Sequence, residues 1–134
     1  MDQATNITAR ELGSPILGHA VRWVASIHLV SLVAQVAAAP AFLAGYAAAF
    51  ALHRANATVV LALGVVLALA ALANGPKRTG PWLTLIAVAI PALEATQIWL
   101  GQSGQTAAHV LIGLTIWSLS IAFAVKVWAA VRAV

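Results

Sequence analysis

Four long apolar runs separated by short breaks predict an all-α integral membrane protein, a four-helix bundle of up-down topology with both termini cytoplasmic. Two observations carry this class. Of the 134 residues, 63% are hydrophobic and only 7% are charged, whereas a soluble domain carries roughly a quarter charged residues. That composition excludes a water-soluble enzyme. The second observation is where the bases fall. Arg10, Arg22, Lys77, Arg78, Lys126 and Arg132 stand at one end of the runs and Arg54 alone at the other, and an excess of Lys and Arg marks the cytoplasmic side.

Each crossing of a bilayer needs about 20 mostly apolar residues at ~1.5 Å of rise apiece, and the breaks in the sequence delimit four such spans. Residues 1–13 read as a short cytoplasmic tail and 14–134 as the transmembrane domain. Span one covers about 14–39, opening at Ser14-Pro15, a capping residue followed by proline in the first turn. It is expected to stop before Pro40. Residues 40–50 hold Pro, Gly and Tyr and read as a helix extension or an interfacial connector. Span two covers about 51–74 and ends at the Asn74–Gly80 loop, the clearest break in the chain. Span three covers about 81–100, before a Gly101–Gly104 turn, and span four about 105–132. Trp82 and Trp128 near the inner boundary, with Tyr46 and Trp99 near the outer one, suit an aromatic belt. The acidic Asp2 and the length of the first apolar run argue against a cleaved signal peptide. The expected location is a bacterial inner membrane, with the lipid bilayer as first partner.

The sequence pI near 10.9 reflects few acids rather than a basic patch. The seven bases are scattered, so no nucleic-acid partner is expected. With no cysteine there is no disulfide, thiolate metal site or covalently attached haem.

Ionisable side chains inside a span are expensive and are functional candidates by default. Here they are His19, His28, His53, His109 and Glu94, with the amides Gln35 and Gln97. His53 stands near the outer end of span two and His109 about one turn into span four from the same side. In an up-down bundle the second and fourth helices are diagonal across the core, so this pair is placed to hold haem b through two axial imidazoles. Ala57 and Gly113, each four residues after a histidine and on its face, are small enough to leave room for a porphyrin. Trp117 is placed to close the floor of such a cavity or simply to fill the bundle. Arg54, next to His53, is a fork suited to a carboxylate such as a propionate, or a base snorkelling to water. Both histidines also admit a plain interfacial reading.

Glu94 and His28 lie at similar depth on spans three and one. They are open to three readings: a structural clamp, a proton or quinone site that would include Gln97, or a second ligand site. Pro91 lies one turn before Glu94. His19 reads as interfacial. Metal transport is disfavoured, because no HxxxH or ExxH pair places two ligands on one helix face. A faint internal repeat sets Gln35 and His53 against Gln97 and His109, at unequal intervals of 18 and 12 residues.

Leu52-His53-Arg54, Ala108-His109-Val110 and Gln97-Ile98-Trp99-Leu100-Gly101 resemble the ligand segments in one four-helix half of the haem A synthase family. With Gln35 and Gln97 they are also similar to short actinobacterial four-helix membrane proteins of unknown function. The resemblance covers about residues 16–132 and implies two histidines per half that hold or receive a haem. The chain departs from that family in having one half, Phe50 where an acid is usual one turn before the first histidine, and no cysteine pair. The resemblance thus implies a single-haem cytochrome fold, not the hydroxylating chemistry.

The resulting expectation is a small b-type cytochrome exchanging electrons with a quinol or a redox protein. The alternative is a non-catalytic accessory or assembly subunit, packed through small-residue faces into a larger membrane complex or a homo-oligomer. Whether the chain is an enzyme stays open; if so, it is a haem-dependent membrane oxidoreductase.

Overall fold

The computed structural model describes residues 15–129. The expected tail 1–13, Arg10, Arg132 and the last residues of span four lie outside them. The described chain is helical: α1 Pro15–Leu43, α2 Ala47–Asn74, the single turn α3 Pro76–Thr79, α4 Pro81–Gln102 and α5 Thr106–Ala129. No strand occurs among the described residues. The four long helices contain 29, 28, 22 and 24 residues, so even the shortest is about 33 Å long and matches a hydrocarbon core of ~30 Å.

Three helix ends lie beyond the expected boundaries. Helix α1 runs through Pro40 to Leu43, and the Pro40 carbonyl still accepts a hydrogen bond from the Ala44 amide at 2.9 Å. Proline removes its own donor but leaves its acceptor, so the turn after it still closes. Helix α2 starts at Ala47, because Ala47-Ala48-Ala49 is strong helix former and the amides of Ala49 and Phe50 bond the Tyr46 carbonyl. Residues 40–50 are thus two helix ends joined at Gly45, whose φ of 88° suits glycine. Gly101 and Gln102, expected in a turn, complete α4.

Helix α1 packs on α2 and α5, and α4 also packs on α2 and α5. This closes a ring in the order α1, α2, α4, α5, leaving α1 opposite α4 and α2 opposite α5. Lipid is as apolar as leucine, so close packing and polar links hold such helices together. Accordingly, one core cluster sets Ala25, Ala71 and Ala87 between Leu67, Ile90 and Phe123, and a smaller one joins Leu32, Val60 and Ile116. Valine, leucine, isoleucine and tryptophan stay exposed on the outside, including Val30, Leu69, Leu85 and Leu111, as suits a bilayer-facing surface. Polar links join neighbouring helices. Asn56 Nδ2 donates to the Ser31 carbonyl at 2.9 Å and to Gln35 Oε1 at 2.8 Å, joining α2 to α1. Trp128 Nε1 donates to Ser26 Oγ at 3.0 Å, joining α5 to α1, while the Trp128 ring meets Trp23 edge-on.

Candidate functional site

Between the helix ends that carry His53 and His109 and the apolar cluster around Phe123 lies a cavity of about 390 Å³. That is within the usual range of ligand pockets. Its polar lining consists of Gln35, His53, Glu94, Gln97 and His109, and Leu32, Val60, Ile116 and Trp117 form much of its apolar wall.

The two imidazoles come from opposite helices of the ring, His53 from α2 and His109 from α5, and their centroids are 6.4 Å apart. His109 is anchored on the preceding helix. His109 Nδ1 bonds the Gln97 carbonyl at 2.8 Å. A carbonyl only accepts, so Nδ1 carries the proton and the neutral ring keeps a lone pair on Nε2. His53 has a buried Nδ1 without a hydrogen-bond partner. A ring held by a carbonyl through one nitrogen, with the other free, is the usual state of a histidine poised to bind metal.

The small residues have specific tasks. A Cβ on Gly101 would come within 2.9 Å of His109 Nδ1, so this glycine makes room for the ring. A Cβ on Gly113 would meet the Gln97 amide, and both Gly113 and Ala57 line the cavity. Phe42 stacks on the His53 ring at 5.7 Å, and Phe50 packs on Phe42 at 5.0 Å. Arg54 does not line the cavity; its guanidinium lies over the Phe50 ring at 5.7 Å. His19 is exposed.

The second constellation is joined directly. His28 Nε2 and Glu94 Oε1 are hydrogen-bonded at 2.5 Å, with both residues essentially inaccessible at 0% and 1%. His28 Nδ1 and Glu94 Oε2 are buried without partners. Oε2 packs so closely on Gly64 that no side chain fits there. Sequence reasoning missed Gly64, Gly101 and Phe42. The first two are single glycines in a chain rich in small residues, and Phe42 fell in a stretch read as a helix extension or an interfacial connector.

Among the described residues no group of three or more His, Cys, Asp or Glu could hold a metal ion on protein ligands alone. A porphyrin changes that requirement, because it supplies the equatorial nitrogens and asks the protein only for axial ligands. His53 and His109, brought from two opposite helices to one cavity, are the residues that would hold such a group. The apolar walls and the free ring nitrogens fit the same group. No family model matches the chain, and neither the curated proteins nor the solved structures contain a significant match to it.

Proposed function

We propose that this protein is a small membrane b-type cytochrome, holding one haem b between His53 and His109. The observation that carries this reading is the pair of opposed imidazoles, 6.4 Å apart across an apolar cavity. His109 is also oriented by the backbone carbonyl of Gln97. Bound there, a haem supplies a reversible one-electron couple, and the chain's own residues bind it, orient its ligands and exclude water. Ala57, Gly113 and Trp117 shape the cavity. Arg54, at the same end, is available to a propionate if it leaves Phe50. The likeness to one half of the haem A synthase family supports the same assignment.

In this reading the bundle is up-down, with both termini cytoplasmic in a bacterial inner membrane, because of the bases at one end of the spans. The haem then lies towards the outer face, where a quinol or a redox protein exchanges electrons with it. Protein purified after haem supply is expected to show the Soret band of a low-spin six-coordinate haem, and His53→Ala or His109→Ala is expected to abolish that low-spin signature. A preparation that stays colourless overturns the assignment. Copurification with a larger complex, indifferent to both substitutions, would point to the accessory-subunit role instead.

A further inference from the structure

The His28–Glu94 pair is not needed to ligate anything, and its burial is expensive for a mere link between helices. A buried pair stabilises only when its remaining lone pairs and protons are satisfied, and here one atom on each partner is not: His28 Nδ1 and Glu94 Oε2. Gly64 admits the carboxylate on α2, and Glu94 also lines the cavity of His53 and His109. His28 precedes Gln35 by seven residues on α1, so the pair lies about 10 Å of helix rise from the level of Gln35, which lines the cavity with His53.

We propose that Glu94 and His28 form a redox-linked proton acceptor, taking up one proton from solvent when one electron enters the cavity and releasing it when the electron leaves. This inference rests on the haem reading above. The balance is simple. An external one-electron donor, a quinol or a redox protein in the membrane or a mediator in the test, is oxidised. With a haem held by His53 and His109, the electron would enter that site and the carboxylate–imidazole pair would gain the proton. An added negative charge in a low-dielectric cavity is felt strongly over such a distance, and proton uptake by a nearby group offsets it. The elements around Glu94 offer few competitors. Helix α1 presents His28, α2 presents Gly64 with His53 further along the cavity, and α5 presents His109. Lys77 and Arg78 of α3 are exposed at the far loop.

The test is a spectroelectrochemical titration of the haem-loaded, full-length protein in lipid nanodiscs over three pH units around neutrality. The expected midpoint potential of the wild type falls by up to ~59 mV per pH unit, the one-electron equivalent of a tenfold change, and Glu94→Gln makes it flat. The reduced-minus-oxidised infrared difference spectrum is expected to show a carboxyl band that Glu94→Gln removes. A coloured wild type with a flat potential, or a slope that survives in Glu94→Gln, overturns this proposal alone. If Glu94→Gln does not fold, the wild-type infrared spectrum decides, and absence of any carboxyl change there overturns it. A colourless wild type overturns the haem reading and this proposal with it.

Discussion

The ring of His109 is held at two points on one face of α4, by the Gln97 carbonyl at 2.8 Å from its Nδ1 and by Gly101 packed beneath it. The first contact orients the ring and the second sets its height. Because the hydrogen bond comes from the backbone, replacing the Gln97 side chain does not remove it. Gly101→Ala does disturb the ring, since its methyl would stand 2.9 Å from Nδ1. Outer-shell changes of this kind cost about 10–100-fold in metal affinity. A haem titration of Gly101→Ala is expected to show weaker binding of that order, with helix content unchanged by circular dichroism.

Gly64 bears the same relation to Glu94. Gly64→Ala forces the carboxylate out of its notch, and overpacking a tight interior typically costs about 1–3 kcal/mol. Reversible unfolding in mixed detergent micelles measures that loss. Adding Glu94→Ala removes the clashing group, so the double variant is expected to be less destabilised than the sum of the singles. The expected coupling is about 0.5–3 kcal/mol, and strict additivity would contradict the contact.

Removing one partner of a buried pair strands the other, at a cost of about 3–5 kcal/mol. His28→Leu and Glu94→Leu are each expected to lose stability on that scale. The double leucine variant is expected to lose much less, since well-packed apolar residues often replace a buried pair without penalty. Glu94→Gln retains an acceptor for His28 and is expected to be milder than Glu94→Leu. Thermal unfolding of the four variants in one detergent ranks them.

At the other end of the bundle, the Trp128–Ser26 hydrogen bond ties α5 to α1. Interhelical hydrogen bonds in membrane proteins average about 0.6 kcal/mol, so Trp128→Phe and Ser26→Ala should each cost about that much. Combined, they should cost little more than either alone from this bond, because both remove it. A fully additive pair in the unfolding assay would show that the bond contributes nothing.

Much of the architecture was legible because lipid imposes simple rules. The apolar runs had to be helices long enough to span, and the Asn74–Gly80 break had to interrupt them, because unsatisfied backbone is intolerable in hydrocarbon. The ends at Leu43 and Ala47 were legible only as one of two readings of residues 40–50, a helix extension rather than a connector. Pro40, Gly45 and Tyr46 signal a break, yet proline leaves its carbonyl free and the alanines after Tyr46 favour helix, so the break shrinks to one tight link. Scarcity singled out His28, His53, Glu94 and His109, since each ionisable group in a span is conspicuous. The tasks of Gly64, Gly101 and Phe42 were invisible, because they exist only against a particular neighbour.

The sequence by itself determined the helical class, the four apolar helices and the short roster of polar side chains within them, because hydropathy and helix period are local properties. Only the tertiary structure decided what those side chains meet. It set two imidazoles 6.4 Å apart, joined His28 to Glu94 at 2.5 Å, and turned Arg54 onto Phe50 rather than into the cavity. The reason is rotational. A helix that is apolar on most of its surface carries little indication of which face turns inward, and that choice is made when α1, α2, α4 and α5 close their ring around the few glycines and alanines that let them approach.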